Sequence, residues 1–102
     1  MSLSQHQLTV SAETVFLATA QSAVTGLYLV NLSLSAVTVT VYLVKDSDSA
    51  SMVNTVYSDL TIDPAETIVL LTDRVLLDSG DRLQASASAD FAVSATCVFA
   101  LL

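Results

Sequence analysis

Positive charge is scarce in this sequence. Apart from a single histidine, Lys45, Arg74 and Arg82 are the only basic residues; they face ten acidic residues, and the formal net charge is −7. A surface that binds nucleic acid must neutralise several phosphates at once, and three cations cannot build one. The same shortage argues against docking on anionic lipid. We therefore expect neither a nucleic-acid partner nor a membrane partner.

Several residue types with special structural roles are also rare. Cys97 is the only cysteine, which excludes a disulfide within the chain. Gly26 and Gly80 are the only glycines, too few for a glycine-rich phosphate-binding loop. No apolar run reaches the ~18–20 residues of a membrane helix, and Met1 is not followed by the basic region of a secretory signal. These absences predict a soluble product made inside the cell.

Apolar residues, by contrast, are abundant. They make up 53% of the 102 residues, whereas charged residues make up only 13%. Globular proteins average about 45–50% apolar and about 25% charged residues. The length suits one domain, and the core of one small domain cannot cover so much apolar surface. We therefore expect copies of the chain to cover one another in a homo-oligomer.

Apolar and polar residues alternate in several short segments. The clearest are residues 37–45, VTVTVYLVK, and residues 82–89, RLQASASA. This period of two is typical of a half-buried strand, and no segment has the apolar spacing of a helix. About eight such strands with short polar connections predict an all-β fold, an antiparallel β-sandwich of the jelly-roll-like kind.

Particular segments carry more local predictions. Residues 1–13 lack turn residues and are set apart as an N-terminal arm, which leaves residues 14–102 as a single sandwich domain. Residues 24–33 have apolar side chains on both faces of the predicted strand, which indicates a central strand. We expect this strand to pair with residues 37–45.

The sequence also predicts the backbone conformation at both glycines and the orientation of one tyrosine side chain. Gly26 is expected at a β-bulge, and Gly80 in a tight turn over residues 78–81. Within residues 56–63 the alternation points Tyr57 outward.

Residues able to do chemistry are few and isolated. His6 lies in the predicted arm, and Cys97 lies among apolar neighbours in a predicted strand, where a free cysteine packs as a small apolar residue. Asp46 and Asp48 form an Asp-x-Asp pair that can attract calcium, but the glycine and glutamate of an EF-hand loop do not follow. We therefore expect no catalytic residue, no metal site, no cofactor and no enzymatic activity.

Nine residues are candidates for an interface between subunits. Those near the N-terminus lie in the predicted arm, which would cross onto a neighbour, and outward tyrosines supply rigid contact area. The arginines can pair with Asp73, Asp78 or Asp81, within the turn or across a subunit boundary. The candidates are Leu3, Leu8, Val10, Tyr28, Tyr42, Arg74, Arg82, Leu101 and Leu102.

Two stretches resemble small structural proteins of tailed bacteriophage virions. One is VTVTVYLV at residues 37–44, followed by a Ser/Asp loop; the other runs from PAETIVLL at 64–71 through VLLDSGDRL at 75–83 into a Ser/Ala strand. The resemblance extends from Leu27 to Leu102 and departs from the family pattern in the scarcity of glycine and the acidity. It implies a β-sandwich on the capsid, neck or tail surface, present as a symmetric oligomer, often a trimer, and without enzymatic activity.

The leading hypothesis is a non-enzymatic virion protein that self-associates and decorates or cements a phage capsid. Its expected partners are copies of itself and other virion proteins such as the major capsid protein, and its expected location is the virion, after synthesis in the host cytoplasm. The alternative is a neck, tail or fibre module that binds carbohydrate or a receptor. That alternative needs a cluster of outward Tyr28, Tyr42 and Tyr57, with calcium held by Asp46 and Asp48.

Overall fold

Nine β-strands account for the regular structure of the chain. The computed structural model describes residues 1–102 and has no helix of the length and apolarity that a membrane span requires. The strands are β1 (Ser2–Gln7), β2 (Glu13–Leu17), β3 (Ser22–Asn31), β4 (Val37–Val44), β5 (Thr55–Ile62), β6 (Thr67–Leu70), β7 (Val75–Leu77), β8 (Arg82–Ala87) and β9 (Val93–Leu101).

These strands form two antiparallel sheets packed face to face. Sheet I has the order β1-β9-β3-β6, with β7 pairing the other end of β3, and sheet II has the order β2-β8-β4-β5. The pairs are nested along the chain: β4 with β5, β3 with β6 and β7, β2 with β8, and β1 with β9. The chain is thus one long hairpin, rolled so that β9 also meets β3 and β8 also meets β4. This nesting is the jelly-roll arrangement, and the predicted all-β sandwich is confirmed.

The core fills the space between the two sheets. Alternation directs Leu29 of β3, Val41 of β4 and Leu83 of β8 inward, and all three are fully buried. Phe16 of β2 and Phe99 of β9 meet across the sheets with ring centroids 4.2 Å apart. Because burying one such side chain contributes about 1.5–3 kcal/mol, the alternating strands supply most of the stabilisation.

Residues 1–13, expected as an arm outside the sandwich, contain the first strand of sheet I. Strand β1 pairs with β9 along all six of its residues. The hydroxyl of Ser4 donates a hydrogen bond of 2.6 Å to the main-chain oxygen of Val15 in β2, which ties the strand to sheet II as well. The segment therefore packs on its own chain.

The expected pairing of residues 24–33 with residues 37–45 is wrong. Strand β3 lies in sheet I and β4 in sheet II, so the link between them crosses the sandwich. The buried side-chain amide of Asn31 donates to the main-chain oxygens of Ser35 and Ile62 at 2.8 and 2.9 Å. Its oxygen accepts from the N–H and hydroxyl of Ser33 at 2.9 and 2.7 Å. These four bonds satisfy the amide and hold the link in its crossing path.

Two β-bulges decide which side chains of β3 and β5 point outward. The bulge expected at Gly26 is confirmed, because the β3–β9 register shifts there. The outward orientation predicted for Tyr57 is wrong: it lies opposite Val41 and packs against the core. The β4–β5 register shifts just before Val41, where Asp59 of β5 adopts φ +48°. One inserted residue reverses the alternation beyond it, since side chains alternate with a period of two.

The turn over residues 78–81 requires its glycine, as predicted. Gly80 has φ +94°, and a Cβ there would lie only 2.5 Å from Cγ of Asp46. The carboxylate of Asp81 accepts the main-chain N–H groups of Asp46 and Asp78, each at 3.1 Å. The turn is therefore clamped to the loop between β4 and β5.

Candidate association surface

The outward side chains of sheet I form a continuous surface. Cross-strand pairing places Tyr28 between Thr96 of β9 and Val69 of β6. We call the set the sheet I face; it comprises Leu3, Gln5, Gln7, Ala23, Gly26, Tyr28, Val30, Thr67, Val69, Leu76, Ser94, Thr96, Val98 and Ala100.

The sheet I face carries no charged side chain, although the chain has a formal net charge of −7. Several of its large apolar members are exposed: Leu3 by 63%, Leu76 by 64%, and Tyr28 and Val69 by 43% each. Depletion of charge, together with exposed aliphatic and aromatic side chains, is typical of the centre of a protein–protein interface.

The aromatic ring on this face lies close to the sheet. A Cβ placed on Gly26 would be 3.5 Å from Cε1 of Tyr28, so the ring leans over the glycine. A tyrosine held against the sheet in this way supplies contact area without much loss of side-chain freedom on association.

The outer face of sheet II is chemically different. The amide of Gln84 in β8 donates to the hydroxyl of Thr14 in β2 at 3.0 Å, so neighbouring polar groups on this face satisfy one another. We call the set the sheet II face; its polar members are Thr14, Thr38, Thr40, Tyr42, Thr61, Arg82, Gln84 and Ser86, and it also includes the exposed Leu17, which pairs with Arg82. Hydroxyl and amide groups remain well hydrated, and they make up most of this face.

Four of the predicted interface residues lie on or beside the sheet I face. Leu3 and Tyr28 belong to it. Leu101 ends β9 at the parity of Cys97, Leu102 follows the strand, and the two residues are 63% and 67% exposed. The N–H of Leu102 donates to the main-chain oxygen of Gln21 at 2.9 Å, which fixes this end of the chain against the sandwich.

Leu8, predicted for the interface, lies in the core instead. It is fully buried. Its N–H donates to the oxygen of Val93 at 2.9 Å, and its own oxygen accepts from Phe91 at 2.8 Å, so the main chain beyond β1 stays held to its own sheet. Val10, two residues later, is exposed in the loop between β1 and β2.

The other three candidates lie apart from the sheet I face. Tyr42 is half-buried on the sheet II face, and Arg74 is exposed between β6 and β7. The guanidinium of Arg82 donates to the main-chain oxygen of Asp48. Neither arginine forms an ion pair within the chain. Pairing across a subunit boundary stays a prediction.

The one close contact between a carboxylate and a basic side chain joins the two sheets. His6 of β1 contacts Glu13 of β2 through Nε2 and Oε1, and the hydroxyl of Thr9 donates to the other carboxylate oxygen at 2.8 Å. The hydrogen bond with His6, helped by that from Thr9, lowers the pKa of Glu13 below its ordinary value of 4.5. This contact was not predicted, because residues 1–13 were expected to lie outside the sandwich.

Cys97 faces the core from β9, as predicted. It is fully buried, and desolvation raises the pKa of its thiol to about 11. The group stays protonated at neutral pH and packs as a small apolar side chain.

The features that a carbohydrate site would need are dispersed. Tyr28 lies on the sheet I face, Tyr42 on the sheet II face, and Tyr57 against the core. The loop between β4 and β5 forms an open groove of about 680 Å³ that Asp48 lines together with serine, threonine and asparagine side chains, without an aromatic ring. No cluster of three or more His, Cys, Asp or Glu side chains is placed to hold a metal ion.

Comparison with known proteins adds no relative to this description. No protein-family model matches the chain, and neither a curated protein nor a solved structure matches it significantly.

Proposed function

We propose that this protein is a non-enzymatic structural subunit that self-associates by burying its sheet I face. The observation that carries the proposal is the absence of charge from that whole face, in a chain with ten acidic residues. Burying apolar area stabilises by about 25 cal/mol per Å², so Leu3, Val69 and Leu76 favour a covered state.

A second copy of the chain is the occupant that the charge distribution favours. Two chains of net charge −7 repel each other over most of their surfaces. The sheet I face is where they can approach without bringing carboxylates together. A surface without charge is also complementary to itself, which a two-fold interface requires.

The assembly that we propose is a bacteriophage virion, in which the protein decorates or cements the capsid. The stretches at 37–44 and 64–83 support this proposal, since they resemble virion proteins, and the jelly-roll arrangement of the strands agrees with it. In that setting the major capsid protein is the second partner, and the more polar sheet II face points toward solvent.

Sedimentation equilibrium of the purified chain over a wide concentration range tests the proposal. We expect a mass that is a multiple of 10.7 kDa and that falls on dilution. Val69→Lys puts a charge in the sheet I face and should weaken association at least about tenfold, because a buried unpaired charge costs several kcal/mol. Thr61→Lys makes the same charge change on the sheet II face and should have no effect. A chain that stays monomeric at high concentration contradicts the proposal.

A further inference from the structure

The sandwich has four sheet edges, and three of them carry features that hinder pairing with another strand. Strands β6 and β7 share one edge, which is interrupted by Leu71 at φ +56° and by the charged Asp73 and Arg74. Bulges, charges and short strands are the usual protection of an exposed edge.

The two edges of sheet II are protected in the same ways. Strand β5 has two register irregularities and carries Asp59 at φ +48°. Strand β2 has a bulge after Thr14 and carries Glu13, and the hydroxyl of Ser4 occupies the main-chain oxygen of Val15.

Strand β1 is the exception. Its six residues, SLSQHQ, pair with β9 in unbroken register, with no bulge, no proline and no glycine, and their one ionisable side chain, His6, is engaged by Glu13. Its other edge has no main-chain partner in the sheet. A regular strand with a free edge presents a row of N–H and C=O groups that another extended strand can pair with.

We propose that the free edge of β1 pairs antiparallel with β1 of a second copy, about a two-fold axis, so that sheet I continues from one chain into the other. This inference rests on the self-association proposed above and adds a specific geometry to it. A two-fold pairing uses the same surface on both chains and needs no second, complementary site.

A second copy fits this edge better than a different partner because the edge is close to neutral. Glu13, the carboxylate that contacts β1 through His6, is already engaged by His6 and Thr9. Two β1 strands can therefore meet without opposing carboxylates.

The pairing also extends the sheet I face. Leu3 and Gln5 belong both to β1 and to that face, so joining two β1 strands makes one uncharged surface of double width. Packing through the face and pairing through the edge then give assemblies with an even number of chains. The trimer implied by the phage resemblance does not have this geometry.

Amide hydrogen exchange measured by NMR tests the pairing directly, since packing on the face leaves the outer-edge N–H groups of β1 without a partner. In an antiparallel pair alternate N–H groups point away from the neighbouring strand, and in the monomer those of β1 should exchange fast. At concentrations where the chain associates we expect all of β1 to become protected by at least about tenfold. The outer-edge amides of β5 are the control and should not change.

Val69→Lys, on the strand of sheet I farthest from β1, separates the two proposals. We expect this variant to retain a two-chain species in which β1 is still protected. Association in which alternate amides of β1 keep exchanging fast, or an assembly of three chains, overturns the β1 pairing and leaves the proposed self-association intact. A wild-type monomer overturns both.

Discussion

The two sheets of this sandwich have the same inner chemistry and opposite outer chemistry. Both direct aliphatic side chains into a shared core. Outside, the sheet I face carries Leu3, Tyr28, Val69 and Leu76 with no charge, whereas the sheet II face carries mainly hydroxyl and amide groups together with Arg82. A sheet with one solvated face normally shows the second pattern. This difference is the basis on which we propose that a second copy covers the outer face of sheet I.

The sheets also differ in how they use polar side chains, and Asn31 gives the largest expected effect. The side-chain amide of Asn31 in sheet I is buried and makes four hydrogen bonds, whereas that of Gln84 lies on the outer face of sheet II and makes one hydrogen bond. Asn31→Ala should lower the free energy of unfolding by about 2–4 kcal/mol, because it leaves buried main-chain groups unpaired. Gln84→Ala should cost less than about 1 kcal/mol. Urea unfolding of both variants measures the difference, and equal losses would contradict it.

The two glycines provide the next comparison. Gly80→Ala should destabilise by about 1–3 kcal/mol, since the residue has φ +94° and its new Cβ would collide with Asp46. Gly26→Ala, in β3 of sheet I, should be nearly neutral, because its nearest contact would be an ordinary 3.5 Å to Tyr28. Thermal unfolding of the two variants checks this order, and a larger loss at Gly26 than at Gly80 would contradict it.

A tyrosine on each outer face allows the faces to be compared by one substitution. Tyr28→Ser should weaken self-association about tenfold, since it removes the aromatic contact area from the sheet I face. Tyr42→Ser makes the same change on the sheet II face and should leave the association unchanged. Sedimentation velocity over a dilution series measures both effects. A stronger effect at Tyr42 would mean that the chain associates through the sheet II face, against the proposal.

The smallest expected effect concerns the contact between His6 of β1 and Glu13 of β2, which joins the two sheets. In the folded chain the pKa of Glu13 lies below its ordinary value of 4.5. Its interaction with His6 and Thr9 therefore stabilises the folded state fully at pH values above 4.5. The stabilisation is lost as the pH falls below 4.5 through the lowered pKa. Glu13→Gln should reduce the melting temperature at neutral pH, and the gap from wild type should close under acid conditions. A gap independent of pH would mean that the carboxylate charge contributes nothing.

Much of the fold could be predicted because alternation is a local property. The pattern at residues 37–45 and 82–89 predicts half-buried strands, and both are strands with their aliphatic side chains in the core. The apolar character of residues 24–33 predicts a central strand, and β3 is central in sheet I. The excess of apolar residues likewise predicted exposed apolar surface, which the sheet I face displays.

What could not be predicted depends on contacts between distant residues. The core position of Leu8 and the pairing of His6 with Glu13 follow from β1 joining β9, more than 80 residues away. The inward orientation of Tyr57 follows from a bulge that only the facing strand reveals.

The sequence by itself therefore determined the all-β class, the conformational need of Gly80 and the surplus of apolar surface, because each depends on neighbouring residues or on composition. Only the tertiary structure decided which sheet each strand joined, and hence that every outward side chain of sheet I would be uncharged. The physical reason is that strands pair through main-chain groups common to all residues. Partner and register are thus selected by the packing of the whole chain, which no single segment encodes.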